Sequence, residues 1–146
     1  MVQRWLETPH VAEWWGDAEE QFARVSNDFD APAMEQFIVV TDDRPFAYVQ
    51  TFEVQEWPEP AFGEQPSGTR AVDQFIGELD MIDCGHGSAF LRAFIDGLIA
   101  AGTPRVITDP DPMNTRAIRA YEKAGFRATE VVDTRSGPAL LMVRNS

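Results

Sequence analysis

The 146-residue chain contains a single cysteine, Cys84, so no disulfide can form within it. It also lacks any apolar run near the ~18 residues that a membrane-spanning helix needs, and its first residues hold no apolar signal-peptide core. Internal repeats and low-complexity tracts are absent as well. We therefore expect one cytoplasmic domain over residues 1–146, with no membrane partner and no metal needed to hold its core together.

Basic residues are scarce relative to acidic ones. Twelve Lys and Arg stand against 24 Asp and Glu, which gives a formal net charge of −12 at pH 7. This excess of negative charge disfavours nucleic acid as a partner and favours cationic ligands. An acidic surface can also serve solubility alone, so the charge balance by itself leaves both interpretations open.

Hydrophobic periodicity and breaker residues predict helices first, then strands alternating with helices. The predicted elements are a helix over 2–15 that kinks or restarts at Thr8-Pro9, a helix over 17–28, a β-hairpin over 37–54 turning at Asp42-Asp43, a long loop over 55–69, a strand over 70–82 with a bulge at Gly77, a helix over 88–101, a strand over 105–108, a helix over 115–124, and strands over 126–132 and 139–143. This order predicts an α/β or α+β sheet domain with a helical crossover after the bulged strand.

A glycine-containing turn joins the bulged strand to the next helix. Such a turn lets backbone N–H groups and the helix dipole face a phosphate, and the turn from Cys84 to Ser88 could do this. No Walker lysine follows it and no six-residue Rossmann fingerprint is present. Taken alone, such a turn is more often a plain connection between two elements than a phosphate site.

The segment from Asn114 to Phe126 resembles the Asn-x-x-Ala-x-x-x-Tyr-Glu-Lys-x-Gly-Phe signature of the GNAT acyltransferase superfamily. The resemblance implies a mixed, mostly antiparallel sheet splayed at a bulged central strand and flanked by helices, with acetyl-CoA as cosubstrate. The glycine turn would grip its pyrophosphate and the strand before the turn would pair with its pantetheine arm. The implied cofactor-binding residues are Ile82, Cys84, Gly85, His86, Gly87, Ser88, Asn114, Ala117 and Tyr121.

Two residues of the signature have alternative roles. Asn114 could contact the cofactor or simply cap the helix that follows it. Tyr121 could pack in the core or act as an acid, since a phenol with a pKa near 10 can protonate a departing thiolate. The family often has Gln or Arg where Ile82 stands and Lys where Cys84 stands, so cofactor binding here would depend more on backbone amides.

A second resemblance covers most of the chain and is to the aminoglycoside 6′-N-acetyltransferases. The segments that carry it are His10 to Gly16, Gly68 to Phe75, Thr108-Asp109-Pro110 and Ser136 to Ala139. It implies Asp73 as general base and a drug pocket lined by Trp15, Gln50, Asp73, Gln74 and Asp109. Direct transfer is expected, without an acyl-cysteine intermediate.

The chemistry asks for a carboxylate at the acceptor. Acyl transfer requires a neutral amine, so a carboxylate must hold the incoming ammonium and accept or relay its proton. Asp73 could do both, although its ordinary pKa of about 3.9 favours electrostatic positioning with proton loss through water. The alternative is a solvated strand residue. Glu78 and Asp80 are expected to add negative charge nearby, while Trp14 is expected in the core and Trp15 in the pocket.

The chain departs from the family at its start. Members usually begin with a β-strand before the first helix, whereas this sequence begins within that helix, so either the start codon is misassigned or the first edge strand is missing. An open sheet edge beside the hairpin could then pair with a second copy, making the protein a monomer or a homodimer.

Three functions are compatible with these residues. The first is acetylation of a cationic small-molecule amine, with an aminoglycoside 6′-amine as the favoured acceptor. The second is acylation of a hydroxylysine-type siderophore precursor or of a polyamine. The third is a CoA-binding module without catalysis.

Overall fold

Proline and aspartate residues set the boundaries of the first helices. Pro9 occupies the first turn of a helix, where its missing N–H costs nothing, and it separates two short helices as predicted. The Asp17 carboxylate accepts from the Glu20 N–H and caps the third helix. The described residues are 1–82 and 85–146 of a computed structural model.

Five helices and six strands make up the described part of the chain. They are α1 Val2–Leu6, α2 Pro9–Trp15, α3 Ala18–Asp28, β1 Met34–Thr41, β2 Arg44–Glu53, β3 Arg70–Ile76, α4 His86–Ala100, β4 Arg105–Thr108, α5 Thr115–Lys123, β5 Arg127–Thr134 and β6 Gly137–Asn145, with 3₁₀ turns at Pro60–Phe62 and Leu79–Met81. No helix among these residues is long and apolar enough to cross a bilayer.

The predicted hairpin is formed by β1 and β2. Its turn residues Asp42 and Asp43 both have positive φ, 49° and 63°, as a two-residue type I′ turn requires. Aspartate tolerates this conformation better than most residues. β1 forms an edge of the sheet and exposes Phe37, Ile38 and Val40. Pairing of this edge with a second copy stays a prediction.

The sheet is mixed and opens at its centre. Its strand order is β1-β2-β3-β4-β6-β5. The pair β3/β4 is parallel and is matched only at Arg70–Val106 and Ala71–Ile107, whereas the other neighbouring strands are antiparallel. Beyond Ala71 the two strands diverge, and the Thr108 hydroxyl donates to the Val72 carbonyl at 2.9 Å. The predicted splayed, mostly antiparallel sheet flanked by helices is thus confirmed.

Gly77 marks the predicted irregularity of the central strand. Its N–H and that of Glu78 both donate to the Phe46 carbonyl, at 2.8 and 3.3 Å, which is the pattern of a β-bulge. The predicted continuation of the strand to Ile82 is wrong, because β3 ends at Ile76. A Cβ on Gly77 would lie 2.1 Å from the Trp5 ring, so close packing requires glycine here.

Helices cover both faces of the sheet. On one face Tyr48 and Phe75 pack with α1 to α3 in a cluster that contains the fully buried Trp5. On the other face Val72 packs with residues of α4 and α5, including Tyr121. Because side chains alternate along a strand, β3 contributes to both layers at the point where the sheet opens.

Candidate functional site

A cavity of about 780 Å³ lies where β3 and β4 diverge. Its walls come from α2, α3, β2, β3, α5, the loop that contains Glu59, the segment after β4 and the β5–β6 hairpin. The cavity passes through the gap in the sheet and therefore has two ends. One end lies on the α1–α3 side and the other lies near the start of α4 and α5.

A chain of hydrogen bonds holds Asp73 at the first end. The Tyr48 hydroxyl donates to Gln50 Oε1 at 2.7 Å, and Gln50 Nε2 donates to Asp73 Oδ2 at 3.1 Å. The pairing of Gln50 with Asp73 across β2 and β3 aligns these two side chains. Burial raises the pKa of Asp73, while the Gln50 hydrogen bond and the charge of Arg24 oppose the rise.

Asp109 faces the same end from beyond β4. Burial, and then the charges of Asp73 and Glu59, raise the pKa of Asp109 to about 8. Among the described residues, no basic group lies within ion-pair distance of Asp73 or Asp109. Two carboxyl groups that share a cavity and form no ion pair among the described residues make a site suited to an ammonium ligand.

The two tryptophans of α2 both line the cavity, whereas only Trp15 was expected there. Trp15 lines the cavity and also packs edge-on against Phe75 and Tyr48, at ring-centre distances of 5.1 and 6.2 Å. Trp14 is 36% exposed and lines the cavity too, so its predicted core position is wrong. The buried Val11 and the partly buried Trp15 are one turn apart and take the core-facing side of α2, which leaves Trp14 at the rim.

The two acids predicted to lie near the acceptor, Glu78 and Asp80, lie outside the cavity. Glu78 contacts Arg4 and the Trp5 ring N–H, and Asp80 contacts Arg44, all outside the cavity lining. Besides Asp73 and Asp109, the cavity is lined by the acids Asp28, Glu59 and Asp111. Three arginines line it as well, Arg24, Arg116 and Arg135. Their separation along the chain leaves no sequence pattern by which to group them.

The other end of the cavity meets the first turn of α4. Gly85 precedes this helix with φ at 81°, a left-handed conformation that favours glycine, and Gly87 lines the cavity. The N–H groups of the first turn have no partner within the helix and carry its positive dipole end. Of the remaining predicted turn residues, His86 and Ser88 lie in this first turn outside the lining, and Cys84 lies outside the described residues.

Backbone groups of β3 complete this end. The Gly77 N–H donates to the Phe46 carbonyl of β2. Because the backbone groups of successive residues point to opposite sides of a strand, Gln74 and Ile76 direct their N–H and C=O groups away from β2. On that side β4 has already diverged, and the Ile76 carbonyl makes a 2.9 Å contact with His10 Nε2. The opening thus presents strand-like hydrogen-bonding groups to an extended ligand.

The helix α5 contributes the signature residues. Asn114 Oδ1 accepts from the Ala117 N–H at 3.2 Å, which confirms the helix-cap role, and both residues line the cavity with Ile82. Tyr121 also lines the cavity, although it is buried and packs edge-on against Phe126. Burial is the main cause that raises the pKa of Tyr121, so its hydroxyl stays protonated.

Gln74 and Asp73 lie on opposite faces of β3. Gln50 and Asp73 share the α1–α3 face through their cross-strand pairing, whereas Gln74 lies on the α4–α5 face beside Tyr121. Both residues line the cavity because it passes through the sheet. Gln74 therefore belongs to the end near α5.

Comparisons with known sequences identify the family of this chain. The acetyltransferase (GNAT) domain family matches residues 1–134. The chain is 32% identical over 156 aligned residues to aminoglycoside N(6′)-acetyltransferase type 1 of Klebsiella pneumoniae, covering 99% of this chain and 76% of that protein. It is 39% identical over 82 residues to a kanamycin resistance protein of Rhizobium radiobacter, covering 56% of this chain and 76% of the relative.

Solved structures of acetyltransferases also resemble this chain. An aminoglycoside acetyltransferase crystallised with coenzyme A and kanamycin superposes with a TM-score of 0.84 at 30% identity, covering 99% of this chain and 87% of that one. A Bacillus halodurans protein superposes with a TM-score of 0.91 at 17% identity, covering 99% of this chain and 77% of that one, a likeness of fold alone.

Proposed function

The chain belongs to the acetyltransferase (GNAT) family and is an acetyl-CoA-dependent N-acetyltransferase, and we propose that its acceptor is a cationic amine, most favourably an aminoglycoside 6′-amine. The proposal depends chiefly on one observation. A single cavity joins the start of α4 to the carboxylates of Asp73 and Asp109, which have no basic partner among the described residues.

The residues at the α4–α5 end fit acetyl-CoA. The amides of the α4 first turn suit a pyrophosphate, and the Gln74 backbone groups and the Ile76 N–H suit the amides of a pantetheine arm. Gly87 lies at this end with its Cα so near Ile76 that an added Cβ would be 3.0 Å from the Ile76 side chain. When bound, acetyl-CoA supplies the acetyl group and leaves with its sulfur as a thiolate.

Asp73 is proposed to hold the acceptor ammonium and to receive or relay its proton. Gln50 fixes its carboxylate from one side, which leaves the remaining oxygen positions for the ligand. Burial raises the pKa of Asp73 and so brings it nearer to that of an amine. Asp109, with its pKa raised to about 8, is mostly protonated at neutral pH and becomes the second negative charge when a bound ammonium lowers that pKa. Trp14 and Trp15 supply flat apolar walls for a sugar ring.

Tyr121 is proposed to act as the acid at the other end. The phenol is protonated at neutral pH, so Tyr121 has a proton to give to the thiolate, whose conjugate thiol has a pKa of about 8.5. Burial raises the pKa of Tyr121 and therefore makes this proton harder to release than that of an exposed tyrosine. Tyr121 is one of the residues that line the cavity. Transfer is proposed to be direct, from the thioester to the amine.

A second acceptor class is favoured by a specific feature. Arg24 and Arg135 line the same cavity as the carboxylates, and neither forms an ion pair among the described residues. An acceptor of the hydroxylysine type carries a carboxylate that would pair with such an arginine. A polyamine or an aminoglycoside has no carboxylate. The matched enzymes argue against the third possibility, a module without catalysis.

An acceptor panel tests the proposal. The purified protein is incubated with acetyl-CoA and, in separate reactions, a kanamycin-type aminoglycoside, spermidine or N6-hydroxylysine, while free thiol is followed. We expect the highest kcat/KM with the aminoglycoside. Thiol release no faster than hydrolysis without acceptor would contradict the proposal, and a preference for hydroxylysine would replace it with the second class.

A further inference from the structure

Three backbone carbonyls of β3 face the side from which β4 has diverged. The bonds between β2 and β3 alternate along the strand, and the Gly77 N–H that donates to the Phe46 carbonyl fixes which residues they use. The carbonyls of Val72, Gln74 and Ile76 therefore point away from β2. They form a row along the opening, beyond the last residues that β3 pairs with β4.

Side chains from other elements occupy two of these three carbonyls. The Thr108 hydroxyl donates to the Val72 carbonyl at 2.9 Å, and His10 Nε2 lies 2.9 Å from the Ile76 carbonyl. A carbonyl oxygen carries no proton, so the proton of the second contact belongs to His10 Nε2, which donates. The Gln74 carbonyl lies between the two, is directed away from β2 and meets no paired residue of β4.

His10 reaches its carbonyl from the helix that carries Trp14 and Trp15. It lies in the first turn of α2, and Trp14 follows it one turn later on the same side of the helix. His10, Trp14 and Ile76 all line the cavity. The hydrogen bond between His10 and Ile76 thus lies where the wall of the acceptor end meets the strand of the cofactor end.

We propose that His10 is a positioning residue for acetyl-CoA, which by occupying the Ile76 carbonyl leaves the Gln74 carbonyl open for an amide N–H of the pantetheine arm. The proposal rests on the cofactor end of the proposed function. A strand-like ligand that moved from one of these carbonyls to the next would shift by two residues, about 6–7 Å. Such a shift would carry the thioester away from Asp73. His10 therefore fixes the register of the arm on one side, as Thr108 does on the other.

Carbonyl resonances of the protein with coenzyme A test this directly. In protein labelled with ¹³C at the glutamine and isoleucine carbonyls, coenzyme A should shift the Gln74 resonance far more than that of Ile76. In His10→Ala the Ile76 carbonyl is open, so coenzyme A should shift both resonances. A large shift of the Ile76 resonance in the unchanged protein, or none in His10→Ala, would overturn the proposal.

The variants His10→Gln and His10→Glu separate the hydrogen bond from the size of the side chain. An amide nitrogen can donate to a carbonyl, whereas a carboxylate of the same length cannot. We expect His10→Gln to keep the original pattern of shifts and His10→Glu to give the pattern of His10→Ala. Equal patterns in the two variants would overturn the proposal, and the pair carries the comparison if His10→Ala does not fold.

Gln3→Glu is the control for the added charge of His10→Glu. Gln3 is an exposed residue of α1 and lies outside the cavity lining. Its substitution should leave the carbonyl shifts as they are in the unchanged protein. If Gln3→Glu gave the same pattern as His10→Glu, charge and not the lost hydrogen bond would be the cause, and the proposal would fall.

Steady-state kinetics give a second readout. When two registers are equally favourable, half of the bound cofactor is unproductive, so kcat and the KM for acetyl-CoA should both fall about twofold. Their ratio and the acceptor KM should stay constant. We expect this of His10→Ala and His10→Glu but not of His10→Gln. A rise in the acceptor KM with an unchanged KM for acetyl-CoA would show that His10 only holds α2 in place, and would overturn the proposal.

The dependence of kcat on pH separates positioning from proton transfer. Histidine can donate from Nε2 in both its neutral and its charged form, so His10→Gln should keep the original pH profile. Loss of one limb of that profile would identify His10 as a proton-transfer group and would overturn the positioning role. If no amine were acetylated at all, the proposed acceptor would be wrong, whereas the carbonyl shifts with coenzyme A would still test His10.

Discussion

The two ends of the cavity present different kinds of chemical groups. At the α4–α5 end the groups proposed to bind acetyl-CoA are mostly backbone: the first-turn amides of α4, the N–H and C=O groups of Gln74 and the N–H of Ile76. At the other end they are side chains, Asp73 and Asp109, with the two tryptophans of α2. Backbone sites recognise a constant ligand, whereas side-chain sites can change acceptor by substitution without changing the fold.

The largest effect is expected from Asp73→Asn. The variant keeps the shape of the side chain and the Gln50 contact but loses the negative charge, so kcat/KM should fall about 10³-fold. Coenzyme A affinity, measured by calorimetry, should stay unchanged because the other end of the cavity is intact. Wild-type turnover would remove Asp73 from the mechanism, and a parallel loss of coenzyme A binding would show that the two ends are not separable.

Tyr121→Phe should have the next largest effect. Removing the phenol oxygen leaves the ring packed on Phe126 but deprives the thiolate of its acid, so kcat should fall about 10²-fold. Steady-state kinetics with both substrates would show the loss in kcat rather than in either KM. A variant that unfolds more easily but turns over normally would identify Tyr121 as a packing residue only.

Asp109 gives a prediction for pH. Its pKa is about 8 in the folded chain and about 4 when unfolded, so between these values the folded state binds more protons and stability falls as pH rises. The decline has an upper limit of about 1.4 kcal/mol per pH unit, reduced by solvent in the cavity. Thermal melts from pH 5 to 8 should show it.

Asp109→Asn should flatten that decline and weaken acceptor binding by about tenfold at pH 8, since a carboxylate no longer faces the ammonium. Asp133→Asn, which removes an acid from the exposed face of β5, is the control and should leave the decline in place. If both variants change the pH dependence of stability equally, that dependence arises from the net charge of the protein and not from the Asp73–Asp109 pair.

The smallest effect is expected at the backbone end. Gly85→Ala must hold an alanine at a φ of 81°, so coenzyme A affinity should fall about fivefold while acceptor KM stays constant. Gly97→Ala lies in the same helix with open space around it and should stabilise the protein slightly, by about 0.5–1 kcal/mol. Calorimetry and thermal melts distinguish the pair; equal coenzyme A affinities in both would argue against the turn as a binding element.

The contrast between the ends also explains which features the sequence could predict. The helix break at Pro9, the Asp42-Asp43 turn and the Asn114 cap depend on neighbouring residues, and all three are confirmed. The end of β3 could not be predicted in this way, because Gly77 is required by contact with the distant Trp5. The predicted core position of Trp14 is wrong because the sequence of two adjacent tryptophans does not indicate which of them faces the core.

The acceptor end depends still more on distant contacts. Tyr48, Gln50 and Asp73 become a hydrogen-bonded chain only through the pairing of β2 with β3. Arg24 and Glu59 join the cavity from a helix and a proline-rich loop, and no spacing in the sequence connects them. Of the acceptor residues, Asp73 and Asp109 were found through resemblance, and their roles stay predictions.

Product identification tests the central claim most directly. Two aminoglycosides that differ only in bearing an amino or a hydroxyl group at the 6′ position are each incubated with the protein and acetyl-CoA, and the products are examined by mass spectrometry and NMR. We expect one added acetyl group on the 6′ nitrogen of the first and no product from the second. Acetylation of both compounds at another amine, or of neither, would contradict the assignment of the Asp73–Asp109 end as a 6′-amine site.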